Sequence, residues 1–188
     1  MTRSDLTQPL LLPPRWETAR LVIEDGRSPD VSSLHAIFSA CAYVAPWDDT
    51  FREVPLADLV ALVNRSQTAV GEDYRFKLQC VREKATGEIA GYFHVSHGAP
   101  EPHTVWISIL VFHPDFQKQQ YGRETIDGLC HQLLALGYEA IWLKVYLKNW
   151  PALRFWISNG FTKILKYEGD KTMTPSSYAA IRLERKLR

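Results

Sequence analysis

Residues 111–123, Val-Phe-His-Pro-Asp-Phe-Gln-Lys-Gln-Gln-Tyr-Gly-Arg, constrain this chain more than any other stretch. They follow an apolar run, 105–112, that is too short to cross a bilayer and reads as a buried strand. They precede Ile126, Leu129, Cys130, Leu133 and Leu136, which recur at helical spacing and stop at Gly137. The segment is therefore a strand, a polar turn and a helix start. Unpaired N–H groups and the positive dipole end converge at such a start, and anions bind there, with phosphate the obvious candidate. Taken alone, one glycine (Gly122) at a strand–helix turn is equally what an ordinary loop contains.

The rest of the chain predicts one α+β domain around that turn. Residues 1–15 are polar and Pro-bearing and read as a loose N-terminal arm, with the folded domain spanning 16–188. A strand is expected at 20–25. Ser28-Pro29-Asp30 then has the look of a helix cap, ahead of the stripe Val31, Leu34, Ile37, Phe38 and Cys41. Pro55 opens a second helix. Strands at 74–82 and 89–97 flank Lys84-Ala85-Thr86-Gly87 as a hairpin, and 104–112, apolar on both faces, is their central neighbour. After the helix ending at Gly137 come a strand at 140–147, a helix at about 150–159, and strands at 162–167 and 178–187. This order gives a mixed, mostly antiparallel sheet flanked by helices.

Composition narrows the function classes. The 188 residues are 46% hydrophobic, enough for a substantial core, and the net charge of +1 points to neither nucleic acid nor an anionic membrane surface. Leu10-Leu11-Leu12 is ended by Pro13-Pro14 without a small-residue cleavage pattern, so no signal peptide is expected. Cys41, Cys80 and Cys130 lack C-x-x-C spacing and sit among apolar residues. They read as free buried thiols of a cytoplasmic protein, with no metal site.

A second constellation lies at 145–161. Asn149 stands at a strand end before a helix, where a cap is preferred, Phe155 and Trp156 read as core, and Gly160 as a C-cap. Taken together, the two segments resemble the acyl-CoA-binding motifs of the GNAT superfamily of N-acetyltransferases. Gln117 and Gly122 occupy the first and last fixed places of the family's [Gln/Arg]-x-x-Gly-x-[Gly/Ala] motif, behind the lead-in Phe112-His113-Pro114-Asp115-Phe116. Asn149, Ala152, Phe155-Trp156 and Gly160-Phe161 fill its second motif. Trp16-Glu17-Thr18-Ala19-Arg20-Leu21 is similar to the start of the branch that acetylates protein N-termini.

The resemblance implies a GNAT-like fold and an N-acetyltransferase with acetyl-CoA as co-substrate. The N–H groups of Gln117, Lys118, Gln119, Gln120, Tyr121, Gly122 and Arg123 would cradle the pyrophosphate. Leu110, Val111 and Phe112 would pair with the pantetheine amides, the Leu110 N–H would hold the developing oxyanion, and Asn149 would touch the pantetheine arm. A primary amine, small or on a peptide, would attack directly, in a monomer or homodimer. A non-catalytic acyl-CoA-binding module is the alternative.

Two departures from the pattern matter. Gln120 replaces a glycine and is strained if the turn needs positive φ. Trp156 stands where many members carry the tyrosine that protonates the leaving thiolate, and Trp106 where a strand glutamate acts as base. Indole is no acid of useful pKa. The base is then sought in His94 or His97, on opposite faces of their strand, with a pH–rate inflection near neutrality expected if either serves. Asp48, Asp49 and Glu53 could receive a cationic amine, and Trp47, Trp106, Trp142, Trp150 and Trp156 could line an apolar acceptor pocket.

Overall fold

The computed structural model describes residues 10–68 and 75–187. Among them, eight strands form one sheet: β1 (Arg15–Glu17), β2 (Leu21–Asp25), β3 (Phe76–Glu83), β4 (Ile89–His97), β5 (Thr104–Phe112), β6 (Ala140–Tyr146), β7 (Lys163–Gly169) and β8 (Ala179–Lys186). Their spatial order is β1-β2-β3-β4-β5-β6-β8-β7, and β5–β6 is the one parallel pair. That pair needs a crossover, which α3 (Tyr121–Ala135) supplies. The remaining helices are α1 (Val31–Ala40), α2 (Leu56–Gln67) and α4 (Trp150–Ser158).

The alternation of side chains along the strands builds two cores. On one face α3 and α4 bury Ile126, Leu129, Leu133 and Trp156 against Phe93, Ile107, Leu143, Val145 and Leu183. On the other, α1 and α2 bury Leu34, Phe38, Leu59 and Val63 against Leu78, Cys80, Tyr92 and Val111. The second pair of helices packs on β3, β4 and β5 and stops there, and no helix of that core covers the same face of β6, β8 and β7.

The end of the expected arm is not loose. Residues 1–9 lie outside the described residues, but Leu12 is 1% exposed in the larger core and Arg15–Glu17 pair with β2. Polar tethers fix the path. The buried Gln79 amide accepts from Trp16 Nε1 at 2.9 Å and donates to the Pro13 carbonyl at 2.8 Å, and Tyr138 Oη donates to the Leu10 carbonyl at 2.9 Å. Ser28 is likewise not a cap: Ser28–Asp30 form a 3-10 turn, and Asp30 accepts from the Arg27 N–H at 2.9 Å. Tyr74, the expected first residue of the hairpin, lies outside the described residues, and the strand runs from Phe76.

Candidate active site

The site grows from a defect in β5. Opposite β4, His94 pairs with Ile109 and Val95 with Ile107, so Ser108 is an extra residue, a bulge that bends the strand. On its other side β5 pairs with β6 only from Thr104↔Ala140 to Ile107↔Leu143, although β5 continues to Phe112 and β6 to Tyr146. The two central strands therefore part at the bulge and leave a fork. The His113 N–H donates to the Ala90 carbonyl at 2.9 Å, so alternation turns the Val111 and Ile109 N–H groups toward β4. The Leu110 and Phe112 N–H groups face the fork, with no ladder partner there. An extended chain bearing amides can add as a short strand between the parted edges.

Two helices start at the two arms of this fork, α3 after β5 and α4 after β6. The α3 start has no side-chain cap, so its first N–H groups are open to a ligand. The turn before it holds Lys118 at φ 60° and Gln120 at φ 66°, two left-handed residues that curl successive N–H groups inward. The conditional strain at Gln120 is thus met. Gln120→Gly is expected to stabilise the fold by up to about 1 kcal/mol, because glycine adopts this backbone without a Cβ penalty. An unmoved or lowered urea midpoint would refute that cost.

The turn residues divide between bracing and exposure. Gln117 Nε2 donates to the Phe112 carbonyl at 2.9 Å while its Oε1 accepts from Tyr43 Oη at 3.1 Å. Gln119 Nε2 donates to the Asp115 carbonyl at 2.7 Å, and Lys118 and Arg123 point to solvent. Tyr121 is buried, donates to Glu83 and carries Arg20 over its ring. Gly122 serves packing rather than ligand approach: a Cβ there would sit 3.0 Å from the Phe155 ring of α4.

Asn149 is 5% exposed and its amide is engaged at both its oxygen and its nitrogen, with one N–H of Nδ2 left over. Oδ1 caps α4 by accepting from the Ala152 N–H at 3.2 Å, and Nδ2 donates to Asp48 Oδ2 at 3.1 Å. Asp48 in turn caps its own turn through the Thr50 N–H at 3.0 Å. Asn149 and Asp48 therefore pin the connection after α1 to the fork. Asp49 pairs with Arg52. The expected cation-binding acids are in this way largely spoken for.

The two histidines separate. His97 is 0% exposed, its Nε2 accepts from the Leu12 N–H at 3.2 Å and its Nδ1–H faces the Arg75 carbonyl at 2.9 Å. Both nitrogens are used, Nε2 in holding the N-terminal segment and Nδ1 on the backbone just before β3, so it is not available as a base. His94 lies on the α1/α2 face opposite Ile109, beside the bulge, with its ring 5.2 Å from Phe76. Its Nδ1 is buried with no hydrogen-bond partner. Burial, with the Arg65 charge, pushes its pKa down to about 4, and burial does the same for His97, so both rings are neutral at pH 7. A titration near neutrality, expected from the residue type, is absent from either group.

The tryptophans do not make one pocket. Trp156 is 8% exposed and packs edge-on against Phe155 and Phe161, Trp150 is 60% exposed, and Trp47 stands against Tyr43. Trp106 and Trp142 are paired across β5 and β6 at the root of the fork. Two features escaped the sequence. Gly91, an isolated glycine inside a strand, signals close approach and faces Phe112. Lys144, Arg182 and Lys166 come together only through the register of β6, β8 and β7.

Comparisons with known proteins agree with this geometry. The family model described as Acetyltransferase (GNAT) family matches residues 33–161. An acetyltransferase from Thermus thermophilus superposes with a TM-score of 0.69 at 22% identity, covering 91% of this chain and 99% of that one. The ribosomal-protein-S18-alanine N-acetyltransferase from Escherichia coli gives 0.67 at 17%, covering 89% and 94%. The spermidine N-acetyltransferase from Vibrio cholerae, in complex with CoA and spermine, gives 0.72 at 14%, covering 90% and 96%. No curated protein matches by sequence. The match over 33–161, borne on a forked sheet and an uncapped helix start, places the chain in the GNAT family of acetyltransferases.

Proposed function

We propose that this protein transfers the acetyl group of acetyl-CoA to a primary amine by direct attack, without a covalent enzyme intermediate. The observation that carries the reading is the fork between β5 and β6 beside the uncapped start of α3. When bound, acetyl-CoA supplies an activated thioester. The Gln117 N–H, expected in the cradle, already donates to the Pro114 carbonyl at 3.1 Å, so the backbone N–H groups at 118–123 suit the diphosphate, and the open Leu110 and Phe112 N–H groups suit the amides of its arm. The Leu110 N–H is the donor for negative charge developing on the thioester oxygen. Asn149 acts as a positioning residue, since its side chain holds α4 and the Asp48 turn at the fork.

His94 is the base. It takes one proton from the amine as the N–C bond forms and the C–S bond breaks, and water returns a proton to the departing thiolate. A thiol of ordinary pKa leaves without a dedicated acid, which accommodates the indole at Trp156. Cys41 and Cys80, buried thiols with pKa values pushed up to about 11 and about 12, suit a reducing cytoplasm.

Titration with acetyl-CoA should raise the melting temperature, and CoA release should follow on adding amines. His94→Gln is expected to lower kcat/KM by about 100-fold with the acetyl-CoA Kd unchanged. Because the ring is already unprotonated above about pH 4, the profile from pH 5 to 8 should follow the acceptor amine alone. Tight binding with no turnover of any amine would leave a CoA-binding module instead.

A further inference from the structure

The face of the sheet opposite α3 and α4 is where an acceptor can reach the fork, because α1 and α2 end at β5 and neither packs on β6, β8 or β7 there; at the far end of β6, Tyr178 stands edge-on to Tyr146 and donates to the Ala45 carbonyl at 3.3 Å. Side chains on that face form cross-strand rows. At the root of the fork Trp106 pairs with Trp142, Trp142 with Glu184 and Glu184 with Lys163. This row is satisfied: Glu184 accepts from Trp142 Nε1 at 2.8 Å and meets Lys163 at 2.9 Å.

The next row, immediately inside the fork, is not balanced. Lys144 lies directly opposite Arg182, and Arg182 directly opposite Lys166. Three cations in register repel, and such pairs destabilise a sheet unless something offsets them. Glu168 is the carboxylate that meets them, 2.5 Å from Arg182 and 3.6 Å from Lys166. Lys144 is exposed and its ammonium rests 5.0 Å above the Tyr146 ring, a contact that leaves its hydrogen-bonding capacity open. The Arg182 guanidinium stacks 5.2 Å over Trp106, and its Nε is buried without a partner. On the facing connection after α1, Asp48 is held by Asn149 and Asp49 by Arg52, which leaves Glu53 as the remaining acid of that loop.

Resting on the acetyltransferase reading above, we infer that Lys144 and Arg182 bind an anionic group on the acceptor, so that the amine acetylated is a small carboxylate-bearing molecule of the amino-acid type. The row sits one residue past Leu143, where β5 and β6 part, so an anion held there places an amine a few bonds away at the thioester position. Trp106 and Trp142 give the carbon skeleton an apolar floor. A polyamine would meet like charge at the same place.

The test uses the full-length protein with acetyl-CoA and matched acceptors: amino acids, the corresponding amides, an aminoalkylphosphonate and spermidine. The acids should exceed their amides in kcat/KM by at least about tenfold, as a charge-assisted contact implies. Titration of the same compounds into protein saturated with CoA should show the same order in Kd. Lys144→Gln should shrink the acid-to-amide ratio toward one, and Lys144→Glu should invert it. A phosphonate as good as the acids would keep the anion site but widen its chemistry. Equal use of acids and amides, or a preference for spermidine, overturns the inference while leaving the acetyltransferase standing. Loss of all turnover with every amine would instead strike the reading on which it rests.

Discussion

Lowering the pH from 7 to about 4.5 is expected to strip several kcal/mol from the stability of the fold, before most carboxylates titrate. The cause is the pair of buried imidazoles. His94 and His97 each have a folded pKa of about 4 against an ordinary value of 6.5, chiefly because burial penalises the charged ring. Around His97, the hydrogen bond to Arg75 and the Asp25 charge oppose that push, and Lys77 reinforces it. A group with a depressed folded pKa binds its proton more readily in the unfolded chain. Stability is therefore full above pH 6.5 and falls as the pH drops toward 4, by at most about 3 kcal/mol for each ring. Native proteins hold about 5–15 kcal/mol in total, so the combined loss is large.

The structural consequence is specific at His97. Its Nε2 accepts from the Leu12 N–H, and protonation would turn that acceptor into a donor facing a donor. Acid should therefore release the N-terminal segment along with the global loss. Urea unfolding at pH 7.0, 6.0, 5.0 and 4.5 measures the slope, and hydrogen exchange at Leu12 reads the local event. His97→Gln should lower stability at pH 7 yet flatten the slope by about one proton. A midpoint independent of pH between 6.5 and 4.5 would mean that both rings titrate normally and are hydrated in the folded state.

Much of this molecule is legible in the sequence, and its illegible parts share a cause. Strand β5 and helix α3 follow from an apolar run and a 3.6-residue stripe, which are local signals. The phosphate-type turn follows too, because a helix start without a capping side chain can be read from Gln120 and its neighbours. The fork cannot be read this way. Residues 105–112 are apolar but for Ser108, so no alternation betrays that Ser108 is an extra residue or that pairing with β6 ends at Ile107. The same holds for Leu10 to Arg15, whose Pro-bearing, short pattern looks like a tail. Its order comes from Gln79 and His97, more than 60 residues away. The row of Lys144, Arg182 and Lys166 is likewise a product of register, and each residue alone reads as an ordinary exposed charge.

Gly91→Ala is expected to destabilise the fold by about 2–3 kcal/mol and to weaken acetyl-CoA binding by more than the lost stability alone would. Gly91 pairs with Phe112 at the open tip of the fork. A methyl group there would fall inside van der Waals contact of the Val111 carbonyl oxygen and come within 2.8 Å of the Phe112 ring. A flexible side chain could swing aside, but the Val111 carbonyl belongs to the ladder that holds β5 to β4. The strand must move as a unit, and with it the Leu110 and Phe112 N–H groups that border the fork. Ligand geometry and stability are thus linked through one missing Cβ, where a conventional core cavity would touch stability alone. Gly122→Ala provides the comparison: its methyl would press the Phe155 ring, a side chain that can tilt, so a smaller loss is expected and the β5 edge stays in place. Thermal unfolding with and without acetyl-CoA separates the two effects for both variants. If Gly91→Ala lowers the melting temperature but binds acetyl-CoA with wild-type Kd, the edge of β5 is not the surface that receives the ligand.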